Sequence, residues 1–398
     1  PMSEKFTGSF TQQEALPDAA IEAALQVLRH GRLHRYNVTE GELGETALLE
    51  QEFAAQVGAK YCLAVASGGY ALATALRAVG VKHGDKVLTN AFTLAPVPGA
   101  IASVGASPVF VGVTEDLTID LEDLAARAGQ ADFLMLSHMR GHLCDMDRLM
   151  QICDVAGITV IEDCAHTMGA AWNGVASGRQ GAVGCYSCQT YKHVNSGEGG
   201  LLVTDDAEVA ARATMLSGSY MLYERHLAAP APEVFETVKY ETPNISGRMD
   251  NLRAAILRPQ LRDLDAQVAR WNERYQVIEA GLRDLPGLTL VERPAAERYV
   301  GSSIQFLLLD WSAQDLQAVI ARCGARGVEL KWFGTPEPVA FTSRYDSWRY
   351  AAPQSLPKSD RILAGIVDMR VPLTFSLADC AQIARIIRAE VAAVYQAS

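Results

Sequence analysis

The sequence predicts an α/β fold: a mainly parallel sheet in a large domain, followed by a smaller α/β domain. Three observations predict it. Seven short apolar runs between residues 61 and 204 alternate with stretches of helical periodicity. Those runs are continuously apolar rather than alternating, as in strands covered on both faces. After Gly287 a second, shorter set of strand and helix patterns begins.

Taken in order, the first forty residues predict a helical arm. Thr11-Gln12-Gln13-Glu14 fits a capping box, and residues 19–28 carry apolar residues at helical spacing. Residues 31–43 are polar and turn-rich, and a second helix is expected at about 45–57. Strands are expected at 63–66, 86–89, 107–113, 133–137, 159–162, 181–187 and 200–204. Helices are expected between them at 71–79, 95–104, 121–127 and 146–156, which gives a doubly wound domain. A polar stretch containing AAPAP at residues 228–232 follows, then one long helix over 249–282 with a break at Pro259. The smaller unit is expected to have strands near 288–292, 302–309 and 328–331, and helices near 313–326 and 377–396. The chain is thus divided into an arm (1–44), a large domain (45–262) and a small C-terminal domain (263–398).

Hydrophobic residues make up 49% of the 398 and charged residues 20%, which excludes global disorder. A net charge of −11 argues against a general nucleic-acid or anionic-membrane binder. No apolar run approaches the roughly 20 residues of a membrane-spanning helix, and residues 1–13 contain no secretory apolar stretch. A cytoplasmic protein with eight reduced cysteines is therefore expected. Cys185 and Cys188 form a lone C-x-x-C with no matching second pair, so no metal site is expected.

Ligands of such sheets bind at the carboxyl ends of the strands. Four groups of polar residues sit there. Ser67-Gly68-Gly69 leads into a helix, where backbone N–H groups can approach a phosphate. Phe92 follows the second strand and is a conditional ring platform. Asp163 ends a β-branched run, where a buried carboxylate needs a partner. Lys192 lies between a strand and a glycine-dense turn, five residues after Ser187, and a lysine held in a pocket readily forms a Schiff base. Each feature alone has an ordinary structural explanation. Together they are the equipment that surrounds pyridoxal phosphate.

The chain resembles the DegT/DnrJ/EryC1/StrS family of sugar aminotransferases. The resemblance is carried by ASGGYAL at 66–72, HMRGHLCDMD at 138–147, VIEDCAHTMGA at 160–170, SCQTYKHVNSGEGGLLVT at 187–204 and SGRMDNLRAAILRPQL at 246–261. It implies the type I pyridoxal phosphate-dependent transferase fold and an aminotransferase moving an amino group from glutamate or glutamine to a sugar carbonyl. It assigns Lys192 to the cofactor-binding lysine and Asp163 to the carboxylate at the pyridine nitrogen. His166 then approaches the ring oxygen, Phe92 lies on the ring face, and Ser187, Gly68 and Gly69 hold the phosphate.

Two positions depart from the family pattern. Gly69 stands where the family usually has threonine. Ser246, with Asn244 two residues earlier, stands where an asparagine reaches the neighbouring subunit's phosphate. The resemblance further implies a cytoplasmic homodimer with a shared active site. Arg248, Lys331 and Trp332 are candidates for an anionic, hydroxyl-rich acceptor, with Arg140 and Arg225 behind them. An acidic keto sugar, a nucleotide-linked keto sugar and an inosose-type cyclitol all fit. The alternatives are a dehydratase or an aminohydroxybenzoate-synthase-like enzyme of the same family, and a non-catalytic regulator on the same fold.

Overall fold

The computed structural model describes residues 4–397. Its main sheet has seven strands: β1 (Tyr61–Val65), β2 (Lys86–Asn90), β3 (Ser107–Val111), β4 (Phe133–Ser137), β5 (Thr159–Asp163), and, after the two-residue strands β6 (Ala171–Trp172) and β7 (Val175–Ala176), β8 (Val183–Ser187) and β9 (Gly200–Thr204). The order across the sheet is β1-β9-β8-β5-β4-β2-β3. Only β9 runs against its neighbours. All five residues of β9 are buried, as a strand covered on both faces requires.

Two apolar layers clamp this sheet. One contains Leu49, Phe53, Leu134, Val160 and Leu257. The other contains Leu72, Leu76, Ile101, Met135 and Leu202. Alternate residues of the strands feed alternate layers, as the two-residue period of a strand dictates.

The smaller unit is a four-stranded antiparallel sheet of β10 (Thr289–Leu290), β12 (Ser303–Leu307), β13 (Lys331–Trp332) and β14 (Ile366–Arg370), in the order β10-β12-β14-β13. The helices Ala313–Ala325 and Leu377–Ala397 pack with it, as does the helix Leu264–Leu282. A further short strand, β11 (Glu297–Arg298), pairs with β6.

Several expectations are corrected. The first helix runs from Asp18 to His30 with Pro17 before it, so Thr11–Glu14 is not a capping box. Phe6 and Phe10 instead pin this segment edge-on to Phe375, and Glu14 pairs with Arg270 at 2.5 Å. The long helix breaks at Asp263, and Pro259 lies inside the helix Asn251–Arg262 with its ring buried. Strand β14 falls where no strand was expected. Its sequence, IVDMR, carries two charges, of which Asp368 pairs with Arg140 far away in the chain.

The arm is fixed to the large domain by a buried ion pair. Arg35 donates two hydrogen bonds to the Glu50 carboxylate, at 2.6 and 2.9 Å, and both side chains are almost fully enclosed. Glu50 also accepts from the backbone N–H of Ala64 in β1 at 2.7 Å. His226 bridges Arg35 and Tyr36. Burial alone would raise the Glu50 pKa, but Arg35 and His226 hold it down at about 2.

Arg35→Ala strands the Glu50 charge in the core and is expected to cost about 3–5 kcal/mol in urea unfolding; a loss below about 1 kcal/mol would mean that the pair is not structural. The Glu50 pKa is depressed from 4.5, so its contribution is present above about pH 4.5 and lost as the pH falls toward 2. Glu50→Gln should flatten the stability curve in that window.

Candidate active site

A cavity of about 550 Å³ opens at the carboxyl ends of the main-sheet strands. Its floor is supplied by strand ends and the turns after them, where backbone pairing stops and side chains are free to face a ligand. Residues 12–17 of the arm and residues 370–373 of the small unit complete the wall.

The helix Gly68–Ala78 points its N-terminus at this cavity. Ser67 caps it, its hydroxyl accepting from the N–H of Tyr70 at 3.0 Å. A Cβ on Gly68 would lie 2.8 Å from the Ser187 Cβ, so only glycine lets the helix start this close to the tip of β8. Gly200 is held more tightly still, because a Cβ there would meet the Ser67 carbonyl oxygen at 2.2 Å. These contacts bring the first turn of the helix and the Ser187 hydroxyl to one side of the cavity.

Asp163 ends β5, opposite Ser137 of β4. Its carboxylate accepts from the Ala165 N–H at 3.1 Å. Burial raises its pKa from the ordinary value. The neighbouring Glu162 points to the other face and is saturated by His138 at 2.9 Å and by the N–H groups of Gly178, Gln180 and Gly181. Cys164 lies within ligand distance of that pair, but Glu162 spends its oxygens fixing the 178–181 turn.

Lys192 and His166 meet inside the cavity, with Nζ and Nε2 3.0 Å apart. The backbone N–H of Arg140 donates to His166 Nδ1 at 3.0 Å. Burial pushes the His166 pKa well below 6.5, so the ring is neutral. A neutral imidazole that accepts at Nδ1 carries its proton on Nε2. That N–H is then aimed at Lys192 Nζ, an arrangement that favours the neutral amine over the ammonium. The electrostatics agree: burial lowers the Lys192 pKa to about 8, and Arg140 and Arg370 push it the same way against Asp163. His193 is locked as well, donating from Nδ1 to the Met168 carbonyl at 2.7 Å and contacting Ser302 through Nε2.

The structure brings Gly68, Gly69, Arg140, Asp163, His166, Ser187 and Lys192 to one cavity. It does not bring the other candidates there. Phe92 is buried in the core, edge-on to Phe333 at 5.2 Å, and Leu94 faces the cavity instead. The chain has left the strand at Asn90, and the residue carried into the site is two positions further on. Lys331 and Trp332 lie on β13 outside the cavity, with the indole N–H of Trp332 bound to the Ala364 carbonyl at 2.7 Å. Arg225 donates to the Tyr36 carbonyl. Asn244 and Ser246 are exposed outside this cavity, and Arg248 bonds Ser246 and the Gly218 carbonyl there.

Arg370, at the end of β14, was missed in the sequence. Asp368 and Arg370 alternate on one side of that strand, a polar pattern that marks a face turned toward a site.

The sequence model of the DegT/DnrJ/EryC1/StrS aminotransferase family matches residues 17–388. The L-glutamine:2-deoxy-scyllo-inosose aminotransferase of Streptomyces lividus is 33% identical over 270 residues, 67% of this chain and 63% of that protein. A putative L-glutamine:3-amino-2,3-dideoxy-scyllo-inosose aminotransferase of Micromonospora echinospora is 31% identical over 288 residues, 71% of this chain and 66% of that protein. The match thus spans slightly under two thirds of these relatives' length. Among solved structures, 3-amino-5-hydroxybenzoic acid synthase superposes with a TM-score of 0.81 at 26% identity, covering 96% of this chain and 99% of that one.

The geometry fixes how Lys192 titrates. In cofactor-free protein, pH-dependent labelling by an amine-reactive reagent, read by mass spectrometry, should give a midpoint near 8 for Lys192, against its ordinary 10.5. Arg140→Gln should raise that midpoint, since it removes a neighbouring cation. A wild-type midpoint at or above the ordinary value would contradict the neutral-amine assignment.

Proposed function

The chain belongs to the DegT/DnrJ/EryC1/StrS aminotransferase family, and from that premise we propose that it is a pyridoxal phosphate-dependent aminotransferase. It takes an amino group from L-glutamine, or from glutamate in its place, and delivers it to the keto carbon of a sugar or inosose-type ring. The observation that carries this reading is the Lys192 amine held by His166 in the same cavity as the Asp163 carboxylate and a glycine-built helix N-terminus.

The donor set fits pyridoxal phosphate. The N-terminus of the helix Gly68–Ala78 and the Ser187 hydroxyl suit its phosphate dianion. A Cβ on Gly69 would have nothing nearer than 4.0 Å, so this side of the helix start is open to a ligand. Asp163, whose pKa burial raises, gains from a cation opposite it, and a protonated pyridine nitrogen is one. When bound, the cofactor supplies an electron-accepting ring next to the reacting nitrogen.

The chain's own residues do the rest. Lys192, its pKa lowered to about 8, reaches far more readily than an ordinary lysine the neutral form whose lone pair attacks a carbonyl carbon. Once displaced, its Nζ can take a proton from the substrate carbon and return one, and a pKa near neutrality suits both directions. Asp163 holds positive charge on the ring side. His166 keeps the amine oriented, and Leu94 and Val97 give the wall an apolar surface.

The proposal includes a homodimer. Asn244 and Ser246 lie outside their own cavity and are exposed, which leaves them free to serve a second copy. It also includes a cytoplasmic location, supported by eight buried, unpaired cysteines. The division into arm, large domain and small domain at residues 44/45 and 262/263 belongs to the proposal too. It is supported by the break at Asp263, although Leu264, Val268 and Trp271 still pack into the large core.

An absorbance spectrum tests the reading. Protein incubated with pyridoxal phosphate should turn yellow, and L-glutamine should bleach the band. 2-Deoxy-scyllo-inosose or a nucleotide-linked keto sugar should then restore it. Lys192→Ala should lower turnover by at least about 10²–10⁴-fold, and Asp163→Asn by at least about 100-fold. A protein that stays colourless, or a Lys192→Ala variant with wild-type turnover, would overturn the proposal.

A further inference from the structure

Arg370 is the cavity's uncommitted cation. Arg140, the other arginine of the wall, bonds the Asp368 carboxylate at 2.9 Å. Asp368 is further engaged by Gln305 at 2.7 Å. The Arg370 guanidinium takes part in no ion pair among the described residues. It lies 3.7 Å over the ring of Tyr191, the residue before Lys192, and 5.5 Å from the ring of Phe341. Stacking of this kind fixes the plane of a guanidinium and leaves its N–H edge open. Of the carboxylates of the wall, Glu14 is held by Arg270, Asp163 accepts from the Ala165 N–H and acts on Lys192, and Glu198 and Asp263 are exposed; none forms an ion pair with Arg370 among the described residues.

Building on the proposed function, we propose that Arg370 recognises a carboxylate on the reacting ligand, accepting it edge-on while Tyr191 holds the guanidinium plane. The planar fork matches a carboxylate in two parallel hydrogen bonds. The location selects the chemistry. Arg370 is close enough to Lys192 to act on its amine electrostatically. An anion bound there shares the cavity with the Lys192 amine, a separation that the α-carboxylate of an amino acid or the acid group of a uronic-type sugar can span. The diphosphate of a nucleotide sugar is several atoms further away. Arg370 is thus a specificity-determining residue, and acids are selected over neutral molecules of the same shape.

Calorimetry on the pyridoxal phosphate-loaded protein tests this with two pairs of unreactive ligands. Glutarate is compared with its neutral diamide, and D-glucuronate with D-glucose. Wild type should prefer at least one acid over its neutral partner. Arg370→Gln should shrink that preference about 10- to 100-fold, the loss expected when a hydrogen-bonded charge pair is removed. Arg370→Lys should restore part of it. Preference for glutarate assigns the subsite to the amino donor, and preference for glucuronate assigns it to the acceptor. A purely structural role for Arg370 in packing Tyr191 would weaken acid and neutral ligands alike and leave their ratio unchanged. The proposal is overturned if wild type shows no acid preference in either pair, or if the preference survives in Arg370→Gln. The same preparations are checked for the yellow band and its bleaching by L-glutamine. Failure of that check counts against the aminotransferase reading, whereas normal bleaching without acid preference counts against Arg370 alone.

Discussion

A lysine amine enclosed by protein must either find an anion or give up its proton, and much of the cavity follows from that requirement. Lys192 finds no ion pair among the described residues and holds its proton weakly, with a pKa of about 8. Its partner is a ring N–H rather than a carboxylate, and two arginines stand close enough to make the charged form costlier. The tautomer of His166 is what secures this, and a backbone group sets that tautomer. The Arg140 N–H is aimed at Nδ1 because Arg140 itself adopts a left-handed backbone conformation, with φ of 54°. Gly141 follows with positive φ, and a Cβ there would lie 3.2 Å from the His166 carbonyl. Strained backbone at this position is thereby tied to the protonation state of the residue that the chemistry needs.

The same arginine joins the surroundings of the two sheets. Its backbone serves His166, which follows β5 of the main sheet, and its side chain reaches Asp368 in the four-stranded one. Gln305 ties Asp368 to His142, which follows Arg140 by two residues, so the chain of bonds returns to where it began. Each polar group is buried and each has a partner, which is the condition under which such a network rigidifies rather than weakens a core. Arg140 Nε is the exception: it is buried without a hydrogen bond. The guanidinium lies over Phe341 at 4.6 Å, and the ring face offsets part of that deficit.

Most of the main sheet was legible because its strands are buried on both faces, and unbroken apolar runs between helices leave few other readings. Asp163 and Lys192 were legible for a related reason. A charge at the tip of such a run has to be explained, and the strand order places both tips at one edge. What failed depends on contacts across long stretches of sequence. Strand β14 reads poorly because Asp368 interrupts it, and Asp368 is tolerable only beside Arg140, 228 positions away. Thr11–Glu14 satisfies a local capping rule that Phe375, packed against Phe6 and Phe10, and Arg270, paired with Glu14, override from more than 250 positions away. Phe92 against Leu94 turns on which way the backbone leaves β2, a detail that composition does not carry.

The whole chain is acidic, but the charges that act on Lys192 are mixed, and the mixture has a chemical consequence. At net −11 the protein repels anions at long range, but salt confines that repulsion to a Debye length of about 8 Å. Inside the cavity Arg370 acts on Lys192 and forms no ion pair among the described residues, and the positive end of a helix faces the same space. The field that draws in a carboxylate is therefore one of the fields that lower the lysine's pKa. An anion seated on Arg370 cancels its charge, and the amine's pKa then rises toward the value that burial and Arg140 alone allow. Before the ligand arrives, the amine's hold on its proton is weakened. Once the ligand is in place, the amine becomes the stronger base. Anion recognition and proton transfer are in this way two readings of a single arrangement of charge.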